Sequence, residues 1–397
     1  MKNRTVGLAV LLVLLSIVFA CEREQDISKV EDSALERVVM KLSPYEGDAD
    51  TKTTYSPITG GFTFLWAEGD AVGIVSSEGS QLKFDIKEEY FGKEEAVFDG
   101  RGFALLAGSR YASYCPFVSD YNLDPAAIPV SYVGQVQVGN NNTDHLGAYN
   151  YSAAIGEAPS SGTLYFTYLN IGSPHLYYIP VPPGSYEGLT ISVDAPLYTE
   201  TGTINLNAND ESSLIAISPI KMSNSLSLDL SEVNLESVSN LFCWMMVPPV
   251  DLSGNTIRMT LSRSDGSNVV SAVNGADCPA NYRKVFSPKT SVCPAESSIG
   301  TQGGIVSIQL VNSSTPVEVS AVSNSDWINF QESSTEGRVT TYTFNVAENT
   351  GAERVGTISF TEASTGLVNT VKVTQQKAGT VIGIGGWNPE NRSGRAN

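Results

Sequence analysis

The sequence has 397 residues with 24 Lys and Arg against 42 Asp and Glu, which gives a formal net charge of −18 at pH 7. This acidic excess argues against nucleic acid or an anionic membrane surface as a partner, because like charges repel. Hydrophobic residues make up 41% of the chain, enough for packed cores, and the length predicts two or three domains.

Residues 1–20 have the features of a secretory signal. Lys2 and Arg4 precede an apolar run over residues 6–20, and Cys21 follows directly. A lipoprotein peptidase requires a thiol just after the cleavage point, so the pattern predicts acylation of Cys21. Stable anchoring needs more than one acyl chain, since each buried CH₂ contributes only about 0.8 kcal/mol. The alternative is an ordinary signal peptide followed by a coincidental Cys.

Residues 21–34 are polar and lack periodicity, which predicts a flexible tether. Acidic residues just after Cys21 are similar to the surface-export signals of some Gram-negative lipoproteins. We therefore expect a protein that is lipid-anchored in the outer membrane and exposed at the cell surface.

From residue 35 onward the pattern is that of β-strands. Turn residues recur roughly every 8–12 positions, which is typical of β-sandwiches, and no segment has a helical stripe. In the first region, 35–162, strands are predicted at residues 38–42, 62–66, 72–75, 82–86, 96–98 and 111–114. In the second region, 163–296, they are predicted at residues 164–169, 176–181, 189–193, 203–206, 242–247 and 256–261.

The third region, 297–378, has the most regular alternation. Residues 305–310, 342–346, 355–360 and 371–373 each place apolar side chains on one face. This spacing fits a separate small sandwich. Residues 379–397 are left as a C-terminal tail.

Several motifs of the first two regions resemble those of fimbrillin-like (Mfa-like) lipoproteins. FLWAEGDAVGI at 64–74 is similar to the family's W-x-x-G-D followed by an apolar strand. Further core and turn segments of the family resemble YASYCPF at 111–117, LYFTYL at 164–169 and MVPPV at 246–250. Cys115 stands where the family commonly has an aromatic residue. The match covers roughly residues 35–292.

The third region resembles the BACON family, whose members are short sandwiches proposed to bind glycans. The motif residues are SNSDWI at 323–328, Asn349, RVGTI at 354–358 and VKVTQ at 371–375. Together the two resemblances imply an all-β protein with two tandem transthyretin-like β-sandwiches followed by an immunoglobulin-like one. They also imply a place among fimbrial or adhesin proteins.

The fimbrillin resemblance implies a further possibility, assembly by donor-strand exchange. In some fimbrillins a protease trims an N-terminal strand and a neighbour's strand fills the gap. Arg37 and Lys52 are the candidate cleavage positions. A fimbrial subunit or anchor is therefore the alternative to a stand-alone adhesin.

Residues for catalysis or metal binding are few. The two His residues, His145 and His175, lie 30 positions apart, and we expect surface or loop positions for both. No C-x-x-C pair or G-x-S-x-G motif occurs, so we predict no metal, no cofactor and no enzymatic activity. Cys278 and Cys293 are expected either to close a short disulfide loop or to remain buried free thiols.

Aromatic side chains are the remaining candidates for ligand binding, because sugars stack on exposed ring faces. Trp66 and Trp244 lie in apolar strands and are predicted to be core residues, and the BACON resemblance implies a core-strand position for Trp327. Trp387, in the Gly-rich tail, is the exposed candidate. The leading hypothesis is a surface adhesin that binds glycans or mucin. The competing ones are a fimbrial component and an accessory glycosidase.

Overall fold

A computed structural model describes residues 34–47, 64–76, 81–100, 105–119, 123–314 and 316–378. Within these ranges the chain is almost entirely β, which confirms the predicted fold class. The first strands are β1 Ala34–Leu42, β2 Glu46–Gly47, β3 Ala71–Ser76, β4 Gln81–Ile86, β5 Glu95–Asp99, β6 Arg110–Cys115, β7 Ile128–Ser131, β8 Gln135–Val138, β9 Ser152–Glu157, β10 Ser161–Asn170, β11 Ser173–Val181, β12 Gly184–Ser192, β13 Tyr198–Ile204, β14 Ile217–Ser223 and β15 Ser225–Leu235.

The remaining elements complete the two later units. The strands are β16 Ser239–Val247, β17 Val250–Asp251, β18 Thr256–Arg263, β19 Asn268–Asn274, β20 Asp277–Cys278, β21 Tyr282–Phe286, β22 Thr290–Cys293, β23 Glu296–Ile299, β24 Gly304–Asn312, β25 Val319–Ser323, β26 Ile328–Glu336, β27 Val339–Val346, β28 Arg354–Glu362 and β29 Val368–Gln375. The described helical elements are 3₁₀ turns at Glu88–Tyr90 and Asp144–Tyr149 and a one-turn helix, α1, at Glu211–Leu214.

The N-terminal unit is a closed barrel in the order β1-β10-β9-β6-β3-β4-β5. Strand β1 lies between β10, with which it is parallel, and β5, with which it is antiparallel. Val38, Met40 and Leu42 of β1 point into the barrel core. The first strand of the described residues is therefore also an internal strand of the barrel.

The barrel includes a strand from beyond the region predicted for it. The predicted boundary between residues 162 and 163 falls inside β10, which pairs with β1 and β9. Conversely, β7 and β8 precede that boundary but pair with β13 and β15 of the next unit. The chain thus passes between the first two units more than once.

The strand predicted at residues 62–66 is wrong for the part that the structure describes. Residues 64–66 are outside the strands, and Trp66 forms backbone hydrogen bonds only with the loop at Gly92 and Lys93. Its indole is nevertheless buried in the barrel core and donates to the carbonyl oxygen of Met40 over 3.3 Å. The alternation of apolar residues in this segment therefore reflects contact with the barrel core, although the segment is not hydrogen-bonded as a strand.

The middle unit packs a four-stranded sheet, β16-β11-β21-β2, against the β22-β19-β18-β12-β15-β8 part of a nine-stranded sheet. Inward-facing side chains of both sheets form its core, including Tyr177, Ile179, Leu241 and Cys243. A second cluster around Trp244 and Met246 joins this unit to the barrel.

The outer edge of β16 is bonded by side-chain amides where a neighbouring strand would be expected. The Gln135 amide accepts from the Met246 N–H over 2.8 Å and donates to the Met246 carbonyl oxygen over 2.7 Å. The Gln137 amide bonds the Trp244 N–H and the Phe242 carbonyl oxygen, at 2.7 and 2.8 Å. These buried amides satisfy the sheet edge and close the sandwich on this side.

The C-terminal module is a sandwich of β23-β29-β28-β25 packed on β24, β27 and β26. The latter three strands complete the nine-stranded sheet, which runs β26-β27-β24-β22-β19-β18-β12-β15-β8. No separate linker divides the module from the middle unit, because β22 pairs with β19 on one side and with β24 on the other.

Both faces of β22 are buried, each by a different unit. Ser291 and Cys293 face the middle unit, where the Ser291 hydroxyl donates to the Pro180 carbonyl oxygen. Thr290 and Val292 face the module, where Thr290 donates to the Glu362 carboxylate over 2.6 Å and Val292 joins the core. Since successive side chains of a strand point to opposite faces, the two units pack on opposite sides of one sheet.

Candidate binding surface

Three positions singled out in the sequence lie outside the described residues: Cys21, Lys52 and Trp387. Arg37 lies in β1, with an exposed side chain whose guanidinium donates to the Tyr90 hydroxyl over 3.3 Å. Val38, Val39, Met40 and Leu42, which are buried in β1, follow Arg37 in the chain. A cut after Arg37 would therefore leave residues 38–42 paired in the barrel.

His175 is buried in β11, so the expected surface or loop position is wrong. Its Nδ1 lies 3.0 Å from the Tyr177 hydroxyl, and its ring contacts Phe286. Burial lowers the pKa of His175 to about 3, with a smaller effect from the charge of Lys284. Tyr177 and Ile179 lie on the same face of β11 as His175 and are core residues. Because alternate residues of a strand share a face, the imidazole also points inward.

His145 lies in the 3₁₀ turn Asp144–Tyr149, where its Nε2 is 3.0 Å from the Trp244 carbonyl oxygen. Partial burial lowers its pKa from the ordinary value. Within the described ranges, no cluster of three or more His, Cys, Asp or Glu is placed to hold a metal ion.

None of the described cysteines, at positions 115, 243, 278 and 293, forms a disulfide. Cys278 and Cys293 were expected either to form a disulfide or to remain buried thiols, and in the structure they are buried thiols. Burial raises the pKa of the Cys243 thiol, and it also raises that of Cys293, where the nearby Arg263 guanidinium acts in the opposite direction. Such thiols are poor nucleophiles at neutral pH.

Two of the three tryptophans predicted as core residues, Trp66 and Trp244, are fully buried, as expected. Trp327 is half-buried against the module core, and the Arg354 guanidinium lies 4.4 Å from its ring centroid. Its ring face is therefore occupied by a cation of the same chain.

The remaining BACON motif residues also serve the module's own structure. The Asn349 amide donates to the carbonyl oxygens of Ala352 and Gln376, and Arg354 donates to the Gln375 side chain over 2.8 Å. The Gln375 amide in turn donates to the Ala347 carbonyl oxygen over 2.9 Å. These bonds tie together the loops at one end of the sandwich, so a ligand site has to be sought elsewhere.

An apolar groove of about 590 Å³ lies between the β13–β14 hairpin and the loop after β16. Its lining includes Ile217, Pro219, Met222 and Pro249, with Asp251 at one side. The neighbouring Ile220 is 71% exposed. With so few polar groups, the groove suits apolar contact and lacks the donors and acceptors that orient a polar ligand.

A different surface combines rings with polar groups. Tyr178 of β11 and Phe242 of β16 lie side by side on the outer face of the four-stranded sheet, both partly exposed, with ring centroids 4.7 Å apart. The Asn240 amide donates to the Tyr178 hydroxyl. Arg338, from the β26–β27 hairpin of the module, donates to the Asn240 side-chain oxygen over 2.5 Å. We call these four residues the junction patch.

The junction patch was missed in the sequence because its members lie far apart in the chain. The sequence predicts strands at residues 176–181 and 242–247, which contain Tyr178 and Phe242, but it assigns no face to either ring. Nothing in the sequence brings Arg338 to them, because that contact depends on the continuous sheet through β22.

The fold defines the class, an all-β protein of several units whose last described unit is a small β-sandwich. In the described residues, no helix is long and apolar enough to cross a bilayer. Residues 317–376 match the family model described as "BACON: Putative binding domain, N-terminal", which confirms the predicted resemblance of this region. The matched span begins just before β25. No curated protein matches the chain.

Solved structures that are similar to this chain include bacterial adhesion proteins. A "putative cell adhesion protein" from Bacteroides ovatus aligns over 64% of this chain and 92% of its own, at 9% identity and a TM-score of 0.42. The "fimbrial anchor protein Mfa2" from Porphyromonas gingivalis aligns over 60% and 81%, at 10% identity and 0.28. A "putative adhesin" from Bacteroides ovatus aligns over 63% and 87%, at 8% identity and 0.30. At these values the likeness is one of all-β architecture.

Proposed function

We propose that this chain is a lipid-anchored surface protein of the outer membrane that serves adhesion or glycan binding and catalyses no reaction. The observation that carries the proposal is the match of residues 317–376 to a family described as a binding domain. The signal pattern that ends at Cys21 supports secretion and anchoring. The buried free thiols and the low pKa of His175 support a role without nucleophilic chemistry.

Anchoring and display are tested on intact cells. Protease added to live cells is expected to remove the wild-type protein. Cys21→Ser is expected to shift the product from the membrane fraction to the soluble fraction. Membrane association of Cys21→Ser at the wild-type level would refute the lipid anchor.

Binding is tested with the soluble fragment 22–397 on an array of mucin-type and polysaccharide glycans. We expect binding to a subset of them and no release of reducing sugar. A complete lack of binding would refute the carbohydrate part of the proposal, and sugar release would refute the non-enzymatic part.

The second candidate function is a fimbrial subunit or anchor, and the position of β1 favours it. The strand is the first of the described residues, lies between β5 and β10, and supplies core residues that a neighbour's strand could replace. A cut after Lys52 would release the whole strand, whereas a cut after Arg37 would leave residues 38–42 in place.

The two cleavage positions make this candidate testable. A specific protease site placed after residue 52 is expected to give SDS-resistant oligomers on cleavage if strand exchange operates. The same site placed after residue 37 is the matched control and is expected to leave monomers. Monomers in both cases would remove the fimbrial candidate.

A further inference from the structure

We propose that the junction patch of Tyr178, Phe242, Asn240 and Arg338 is a binding site for a saccharide that carries a carboxylate. This inference rests on the proposed binding function and specifies its site and ligand class. The patch is composite, because three residues belong to the middle unit and Arg338 belongs to the C-terminal module.

The two rings supply the apolar platform. On β11 and β16 the inward-facing neighbours Tyr177 and Cys243 are fully buried, whereas Tyr178 and Phe242 remain partly open to solvent. Their ring planes are tilted by 53°, so together they form an angled surface. Ring faces of this kind match the apolar C–H faces of pyranose sugars, and exposed aromatic rings are common in ligand sites.

The Arg338 guanidinium supplies the charge. Its Nε donates to the Asn312 carbonyl oxygen over 2.7 Å, and its Nη2 donates to Asn240 and to the Ser239 carbonyl oxygen. Across the described residues, no carboxylate forms a salt bridge with it, and its Nη1 has no hydrogen-bond partner. A fixed cation without an anionic partner, in a chain of net charge −18, favours an anionic ligand.

Directional polar groups lie between the rings and the charge. The Tyr178 hydroxyl accepts a hydrogen bond from Asn240, which leaves its own hydrogen to donate to a ligand. The Asn140 side chain, also exposed, fixes the adjoining backbone by accepting from the Phe242 N–H over 2.8 Å. The groups are therefore held in place before a ligand arrives, which lowers the entropic cost of binding.

The apolar groove beside β14 lacks this combination, since its polar side chains are Thr199 and Asp251 and its only charge is negative. Phe330 is another half-exposed ring, and it packs on Phe344 of the module core. The junction patch is the described surface that brings rings, amide and guanidinium together.

The test measures affinity by titration calorimetry with the whole fragment 22–397. The probes are an oligogalacturonide, sialyllactose and neutral lactose. We expect at least a tenfold preference for an acidic probe over lactose. A preference for the first assigns uronic acids as the ligand, and one for the second assigns sialic acids.

Variants separate the roles within the patch. Arg338→Gln is expected to abolish the acidic preference, and Arg338→Lys is expected to retain part of it. Phe242→Leu keeps the apolar volume and is expected to weaken binding of the acidic probe about tenfold. Tyr165→Leu, which removes a 63%-exposed ring on the barrel, is the matched control and is expected to change nothing.

Four results would overturn the inference, and each leaves a different conclusion. Unchanged binding in Arg338→Gln and Phe242→Leu, with wild-type melting temperatures, would place the site elsewhere while the binding function stands. Equal affinity for lactose would remove the charge requirement. Absence of saccharide binding by a fragment that still attaches to host surfaces would exclude sugars, and absence of both would remove the proposed function itself.

Discussion

Gly356 shows at the residue scale that the BACON motif is a packing motif. A Cβ at this position would lie 2.5 Å from the Ser325 hydroxyl and 2.8 Å from both the Ile328 side chain and the Trp327 ring. The indole therefore rests directly on the backbone of β28. This close approach explains why glycine stands inside an otherwise regular strand.

Substitution of Gly356 by Ala is expected to lower the free energy of unfolding of the module by about 1–3 kcal/mol, because the tryptophan has to move. Gly300→Ala is the matched control, since a Cβ added at Gly300 would have no atom within 4 Å. Denaturant titrations of both variants measure the difference. Equal stability of the two would contradict the packing role.

The amides on the β16 edge give a second prediction. Gln137→Met keeps the side-chain length but removes the hydrogen bonds that the Gln137 amide forms with the Trp244 N–H and the Phe242 carbonyl oxygen. We expect a loss of about 1–3 kcal/mol in the free energy of unfolding. Val136→Thr, at the exposed neighbouring position, is the control and is expected to have little effect. A Gln137→Met protein as stable as the control would show that water replaces the amide.

His175 makes stability depend on pH in a defined direction. Its folded pKa of about 3 lies below its ordinary value of 6.5, so the unfolded chain binds a proton that the folded chain does not. The stability that the neutral His175 contributes is therefore fully present above pH 6.5 and is lost progressively as the pH falls towards 3. At pH 5 the loss is on the order of 2 kcal/mol.

The measurement compares denaturant unfolding of the wild type and His175→Gln at pH 7 and pH 5. Between pH 7 and pH 5, the wild type is expected to lose about 2 kcal/mol more of its free energy of unfolding than His175→Gln does. Parallel losses in the two proteins would contradict a buried neutral imidazole.

These residues mark where sequence patterns stop being informative. The strands β11 and β16 were predicted correctly at residues 176–181 and 242–247, because an apolar run is a local property of the sequence. The expected surface or loop position of His175 is wrong because His175 shares the inward face of β11 with the core residues Tyr177 and Ile179. The β16 partners of Gln135 and Gln137 lie more than 100 positions away, so no local pattern reveals them.

At the scale of elements, β22 determines how the module is held. This strand was not predicted, because its four residues, all buried, alternate between two cores and show no polar face. Strand β26 was missed for the opposite reason. From Asn329 to Glu336 its residues are exposed on both faces, and its backbone pairing with β27 alone keeps it in the sheet.

The role of β22 predicts the smallest fragment that folds. A fragment of residues 288–378 retains β22 and buries Val292, a side chain worth about 1.5–3 kcal/mol. A fragment of residues 297–378 lacks both. We expect a clearly higher melting temperature for the longer fragment in circular dichroism. Val292→Thr in the longer fragment is expected to lower its melting temperature towards that of the shorter one, and identical melting of the two fragments would refute the role.

At the scale of the whole molecule, the continuous sheet joins the middle unit and the module into one body. Domains in one chain ordinarily move relative to each other unless their interface is extensive. Here the interface includes the two β-ladders of β22 and the side chain of Val292 in the module core. It also includes the buried Glu362 carboxylate, which accepts hydrogen bonds from Thr290 and, over 2.9 Å, from Thr365.

Limited proteolysis tests this rigidity. Lys289 is exposed and directly precedes β22, so trypsin would separate the two units there if the junction were a loose linker. Because cleavage needs local unfolding, we expect the folded chain to resist it. Thr290→Ala removes the bond to Glu362 and is expected to accelerate cleavage at Lys289. Rapid cleavage in the wild type would contradict a rigid junction.

The shared strand also constrains how genes for such proteins can recombine. The segment that matches the family model begins at residue 317, after β22, β23 and β24 have already passed. A crossover at that point would transfer a half-sandwich and leave the recipient with a broken sheet. Viable exchanges of this module are therefore expected to have their breakpoints upstream of residue 288, so the inherited segment is longer than the recognisable motif.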